Sequence, residues 1–236
     1  MMRSPWPSDR GDLLGPRFVD RHDAGRQLAE HLRAYAHEPG LIVLGLPRGG
    51  VPVAYEVARA LGAPLDVFVV RKLGVPGHEE YAMGAIASGG IRVVNQEAMR
   101  QLQLTAADLD RVERDERREL ERRDRLYRGD RPHADLAGRT VLLVDDGLAT
   151  GSTMLAAVEA ARTRGPRRII VAAPVAPPDT REAIRRAADD CVCVHTPDPF
   201  YGVGVWYADF DQTTDEEVQR LLAAVAEPPA PAGAER

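Results

Sequence analysis

The sequence predicts an α/β fold, a doubly wound parallel sheet with a β-hairpin and a long charged helix inserted into it. Three observations carry that expectation. Apolar runs at Leu41 to Leu46, Leu65 to Val70 and Val141 to Val144 lack the alternation of a half-exposed sheet and read as buried parallel strands. Stretches with apolar residues at helical spacing follow these runs, so strand and helix alternate along the chain. Between about residues 74 and 138 the pattern changes to a hairpin and then a helix that is almost wholly charged, which marks an insertion.

Taken in order, Asp20 or Asp23 can cap a first helix whose Ala24, Leu28, Leu32 and Tyr35 form one stripe, expected against the sheet edge. The strand Leu41 to Leu46 runs into Pro47-Arg48-Gly49-Gly50 and a helix carrying Val53, Val57 and Leu61. The strand Leu65 to Val70 ends in Arg71-Lys72, and Leu73-Gly74-Val75-Pro76-Gly77 follows as an expected mobile loop. Tyr81 to Ala87 and Ile91 to Asn95 flank Ser88-Gly89-Gly90 as a hairpin. Thr105 and Asp108, in a capping arrangement, open a helix reaching about Tyr127. From Asp110 to Arg125 its charges balance, with Glu113 and Arg117 or Glu119 and Arg123 at i, i+4, so it is a salt-laced helix and not a nucleic-acid-binding arm. Leu109, Val112, Leu120 and Tyr127 leave it a thin apolar line to dock on the core or on a second subunit.

The chain then returns to the α/β pattern with the Val141 strand, a helix buried through Met154, Leu155, Val158 and Ala161, a strand from Arg168 to Ala173, a helix from Asp179 to Ala188 and the Cys191 strand. One domain over 18–226 is expected, with a flexible N-terminus over 1–17 and a Pro- and Ala-rich disordered tail over 227–236. The 236 residues, 44% of them hydrophobic, suffice for one sizeable core. A net charge of −5 argues against a broad nucleic-acid footprint. Met1 to Phe18 contains no apolar signal-like core and no run has membrane-spanning length, so a cytoplasmic protein with no membrane role is expected. Cys191, Cys193 and His195 would share a strand face, but an ion there needs a further ligand, and small buried cysteines are the reading preferred.

The chemistry concentrates at the strand ends. Asp145 and Asp146 follow the Val141 strand, where α/β proteins place ligand sites, and paired carboxylates suit sugar hydroxyls. Thr150-Gly151-Ser152-Thr153 adds hydroxyls and the free N–H groups of a helix start, which bind a phosphate. Their spacing suggests a ribose 5-phosphate held at both ends. Arg48-Gly49-Gly50 offers a second anion loop, with backbone that can approach closely and a fork of donors.

The run Val-Asp-Asp-Gly-Leu-Ala-Thr-Gly-Ser-Thr over 144–153 resembles the phosphoribosyl diphosphate (PRPP) signature of the type I phosphoribosyltransferases. With Leu-Pro-Arg-Gly-Gly-Val-Pro-Val over 46–53, the chain looks like a little-characterised bacterial branch of them. The resemblance implies transfer of 5-phosphoribosyl from PRPP to a nitrogen acceptor, a nucleobase, releasing pyrophosphate. It implies that Asp145 and Asp146 hold the ribose hydroxyls directly or through water on Mg²⁺, and that Ala149, Thr150, Gly151, Ser152 and Thr153 bind the phosphate. Arg48, Gly49 and Gly50 would bind the pyrophosphate, through a loop with a cis peptide between Pro47 and Arg48, and Arg71 and Lys72 would close over it as catalytic cations. The aromatic segment from Phe200 to Phe210 resembles the hood of the 6-oxopurine enzymes, which implies that Phe200 or Trp206 stacks on the acceptor. Ala149 stands where those enzymes carry an Asp, and the chain has no lysine ahead of the hood, so hypoxanthine and guanine are expected to be poor acceptors. Glu79 or Glu80 could supply the missing acid or base. A homodimer is expected, and a non-catalytic PRPP-binding regulator is the rival reading.

Overall fold

The computed structural model describes residues 17–129 and 131–226, without the side chains of Glu79 and Glu80. The expected tail and all but the last residue of the expected flexible N-terminus lie outside the described residues. In chain order, α1 (Arg21–His31) precedes β1 (Leu41–Gly45), α2 (Gly50–Leu61) and β2 (Leu65–Val67). An excursion follows, comprising β3 (Val70–Val75), β4 (His78–Ala87), β5 (Ile91–Val94), α3 (Gln96–Gln101) and α4 (Ala106–Arg128). The chain returns through β6 (Thr140–Val144), α5 (Ser152–Arg162), β7 (Arg168–Val175), α6 (Pro178–Ala187), β8 (Asp190–His195) and α7 (Asp215–Ala226).

Five parallel strands form the main sheet in the order β2-β1-β6-β7-β8. Their continuous apolar runs are explained by burial on both faces. Val43, Leu142 and Ile170 meet Leu28 of α1 and Val53, Val57 and Leu61 of α2 on one side. Ile42, Leu44, Leu143, Ile169 and Val171 meet Met154 and Val158 of α5 and Ile184 of α6 on the other. The chain proceeds from β1 outward to β2, and from β6 in the opposite direction to β7 and β8. The strand order therefore reverses between β1 and β6, and the carboxyl ends of strands at such a reversal are where open α/β sheets place their ligands. Register places Gly45 opposite Val144, so the two loops that carry the Arg48 and Asp145 motifs leave the sheet at the same level.

Two expectations need correction. The run Leu65 to Val70 is not one strand. Its edge strand makes a last bond to β1 from Phe68 N–H to the Gly45 carbonyl, and by Val69 the chain pairs with Ser88 instead. Arg71 and Lys72 are consequently not at the mouth of a mobile loop; they lie within β3, opposite Ile86 and Ala85 of β4. The first helix, capped by Asp20, packs on α2 and over β7 and the edge strand β8.

The inserted hairpin is as expected, extended by β3 into a three-stranded antiparallel sheet, and the long helix begins with the expected Thr105–Asp108 capping box. The thin apolar line of α4 docks within the chain itself. Leu109, Leu120 and Tyr127 join Leu73, Met83 and Ile86 of the hairpin sheet and Val218 and Leu222 of α7. Glu113 pairs with Arg117 and Glu119 with Arg123, whereas Asp110 reaches Arg92 on β5 at 3.2 Å. Arg128 at the end of α4 is buried and bonds Asp66 of β2 at 2.6 Å, which ties the insertion to the main sheet.

Candidate active site

Two loops meet at the reversal point, and the one between β6 and α5 carries two of the motifs. The first leaves β6 through Asp145 and Asp146. Asp146 donates its N–H to Asp145 Oδ1 at 2.9 Å, and its own Oδ2 accepts from Arg21 Nε at 2.8 Å. Burial pushes both carboxyls above their ordinary range; Asp146 adds to this at Asp145, and Arg21 opposes it at Asp146. Two such carboxylates, close together and short of solvent, favour a cation or hydroxyl donors opposite them.

The second loop follows β1. Its Pro47–Arg48 peptide is cis. Its backbone presses on the acidic pair so closely that an ideal Cβ at Gly49 would stand 2.0 Å from Asp146 Oδ2, and one at Gly50 would stand 2.8 Å from Asp145 Cα. Only glycine permits that approach. Arg48 is half-buried, with Nη1 3.7 Å from Asp215 Oδ1 at the start of α7, and Tyr127 of α4 donates to the same oxygen at 2.5 Å.

The first loop then runs on into α5. Gly151 takes φ +70°, and a Cβ there would meet Thr180 Cγ2 at 2.7 Å. Thr180 Oγ1 donates to the Ala149 carbonyl at 2.7 Å, so α6 supports the loop from beneath. Thr150 and Ser152 share a hydroxyl contact at 3.1 Å, and Thr150 and Thr153 are exposed at the helix start.

The family profile described as Phosphoribosyl transferase domain matches residues 20–209, a span that contains both loops. The chain belongs to the type I phosphoribosyltransferase family. It is similar to two Mycobacterium tuberculosis proteins named "Putative phosphoribosyl transferase", MT0597 of strain CDC 1551 / Oshkosh and Rv0571c of strain ATCC 25618 / H37Rv. Each is 49% identical over 205 residues, covering 87% of this chain and 46% of the relative. The chain thus spans about half the length of the curated relatives it matches. It is also similar to the crystal structure of TT1426 from Thermus thermophilus, with 45% identity and a TM-score of 0.81, covering 88% of this chain and 98% of that one.

In this phosphoribosyltransferase domain the remaining expected site residues divide. Arg71 and Lys72 line one cleft with Pro47 and Thr153, so the hairpin does reach the Arg48 loop and the start of α5. Arg71 is engaged there, donating from Nε to Glu116 Oε2 of α4 at 2.5 Å. Arg111 and Arg123 of α4 line the same cleft, which the balanced charge of that helix conceals in the sequence.

The hood needs correction. Its segment is an irregular run around one 3-10 turn, and Trp206 is 6% exposed inside a cluster with Phe18 and Val175, 5.2 Å from the His195 ring. Phe200 packs half-buried on that cluster. Val203 covers Gly147 instead, and Tyr207 donates its hydroxyl to the Asp146 carbonyl at 2.6 Å. Phe210 lies beside Arg21, whose Cζ is 4.0 Å from its centroid. Arg21 and Asp215 are site neighbours that the motifs do not name, and Tyr207 and Phe210 are the rings of the expected hood segment that reach the site. Cys191 and Cys193 lie on β8 with sulfurs 4.0 Å apart. Among the described residues no helix is long and apolar enough to cross a membrane.

Proposed function

We propose that this domain transfers the 5-phosphoribosyl group of PRPP to a nitrogen acceptor, a nucleobase, and releases pyrophosphate. One observation carries the reading. The acidic pair lies against the Gly49–Gly50 backbone, and the loop that carries it runs on within a few residues to the hydroxyl-bearing start of α5. Diphosphate, ribose and 5-phosphate follow one another in PRPP in the order that these three motifs supply their donors and acceptors.

The reaction breaks the bond from C1 to the diphosphate oxygen and forms a bond from C1 to nitrogen, through a ribose ring with cationic character. Asp145 and Asp146 accept hydrogen bonds from the ribose hydroxyls, and their charge stabilises that ring. Thr150, Ser152, Thr153 and the N–H groups at the start of α5 hold the 5-phosphate, which fixes C1 against the acceptor. Arg48 and the Gly49–Gly50 backbone hold the leaving diphosphate, and Lys72 faces it from the hairpin. Arg71 joins only by leaving Glu116.

The donor set fits Mg²⁺. Two hard carboxylates with raised proton affinity need positive charge, and among the described residues no cluster of three or more His, Cys, Asp or Glu forms an all-protein cage. Magnesium suits one or two carboxylates completed by water and phosphate oxygens. When bound beside Asp145 and Asp146 it supplies neutralisation of the leaving diphosphate.

Ala149 offers no proton acceptor, so a base that must lose a proton needs another group, for which Glu79 and Glu80 on β4 are the candidates. The test is incubation with PRPP, Mg²⁺ and a panel of nucleobases, read as pyrophosphate release. Release that depends on one base and is lost in Asp145→Asn is the expected result. PRPP binding without release on any base would favour a PRPP-sensing regulator, and no PRPP binding would end the proposal.

A further inference from the structure

Arg21 is the first residue of α1, where the helix dipole disfavours a cation. The helix is already capped by Asp20, which accepts from the Asp23 N–H at 2.7 Å. Helix stability therefore does not account for an arginine here. Its side chain is only 12% exposed, and its contacts join separate parts of the site. Nε donates to Asp146 Oδ2 at 2.8 Å, Nη1 donates to the Asp211 carbonyl at 2.6 Å, and the guanidinium lies over Phe210. An ideal Cβ on Gly49 would lie 3.2 Å from Arg21 Nε, so the guanidinium also borders the Arg48 loop. The residues leading into Arg21 are stitched to the segment above it. Phe18 N–H bonds the Trp206 carbonyl at 2.9 Å, Ala208 N–H the Phe18 carbonyl at 2.8 Å, and Asp209 N–H the Val19 carbonyl at 2.9 Å.

We propose that Arg21 is a positioning residue for the ribose of the phosphoribosyl donor. It grips one oxygen of Asp146, leaves the other for a ribose hydroxyl, and makes that orientation depend on how residues 206–211 are seated. A guanidinium suits this task because its planar fork can bond a carboxylate and a carbonyl while stacking on a ring, which a lysine ammonium cannot do at once. Without it the Asp146 side chain would lose its anchor and face Asp145 uncompensated. The inference rests on the ribose reading given above.

The experiment titrates ribose 5-phosphate and inorganic pyrophosphate separately, each with Mg²⁺, into the wild-type protein, Arg21→Met and Arg21→Lys, with a melting temperature for each. Arg21→Met is expected to weaken ribose 5-phosphate binding by about 10- to 100-fold, the worth of one charge-assisted hydrogen bond, and pyrophosphate binding by much less. Arg21→Lys should fall between it and the wild type on ribose 5-phosphate. Equal losses on both probes in step with the melting temperature would assign Arg21 to the fold alone and overturn the proposal. So would unchanged ribose 5-phosphate binding in a folded Arg21→Met protein. If Arg21→Met does not fold, Arg21→Lys decides, and wild-type affinity for ribose 5-phosphate in it overturns the proposal. A wild-type protein that binds pyrophosphate but no ribose 5-phosphate would remove the ribose reading itself, and the inference with it.

Discussion

Gly49→Ala separates binding from folding at this site. The added Cβ would stand 2.0 Å from Asp146 Oδ2 and 2.7 Å from its Cγ, so the carboxylate or the loop must give by roughly 1.4 Å to reach ordinary contact. The backbone at residue 49 has φ −60° and ψ −31°, which alanine adopts freely. Alanine there also restricts the unfolded chain, worth about 0.4–1 kcal/mol in favour of folding. The clash therefore falls on the acidic pair and not on the chain conformation. Losing the hydrogen bond that the displaced carboxylate makes to the ribose costs about 1.5–3 kcal/mol, roughly 10- to 100-fold in affinity. Calorimetric titration with PRPP and Mg²⁺ should show that loss, while the melting temperature stays within a few degrees of the wild type. Wild-type affinity would refute the placement of PRPP over Asp146. A collapse of the melting temperature would show that the Gly49 contact serves the fold.

The remaining predictions concern charge, leaving group and acceptor. Asp145→Asn removes one of two buried like charges yet keeps the oxygen that accepts the Asp146 N–H, so it should raise the melting temperature of the ligand-free protein and abolish detectable PRPP binding; a lower melting temperature contradicts this. Glu116→Gln frees Arg71 from its ion pair and should tighten Mg²⁺-pyrophosphate binding by about 0.2–1 kcal/mol, the range of a half-exposed pair, and weaker binding would argue that Glu116 orients Arg71 productively. Trp206→Ala empties a core position and should cost about 3–5 kcal/mol of stability, and a selective loss of acceptor affinity with unchanged melting would return Trp206 to the hood role. Hypoxanthine and guanine should be turned over more slowly than adenine because Ala149 cannot take a proton, and equal rates would contradict that.

The acidic pair, the Arg48 loop and the Thr150 loop are legible in the sequence because their chemistry is local. Each is a short run of small, hydroxyl-bearing or charged residues between an apolar strand and a helix, and a parallel strand buried on two faces announces itself by an unbroken apolar run. The hairpin and the α4 cap are legible for the same reason, since turn and cap residues act within four positions. The break after Val67 is different. Phe68, Val69 and Val70 are as apolar as a continuing strand, and only the pairing of Val70 with Ala87 draws the chain into the second sheet. Helix α7 carries an acidic first turn, Asp215 to Glu217, and apolar Val218 and Leu222 four apart, a signal that the pattern does offer.

What the sequence by itself determined is the class of fold and the three short motifs at the strand ends. Tertiary structure alone decided which neighbours those motifs have. Arg21 reaches Asp146 across 125 positions of chain, Glu116 holds Arg71 across 45, and Asp215 reaches the Arg48 loop from the last helix. Composition cannot announce such pairs, because an isolated arginine or glutamate reads as surface charge until packing removes its water. Trp206 shows the converse: an aromatic ring in a glycine-bearing loop suits either a ligand or the core, and the cluster of Phe18, His195 and Val175 claims it by burial. Local runs specify chemistry through residue type, whereas burial and charge pairing depend on which distant segments the sheet order brings together.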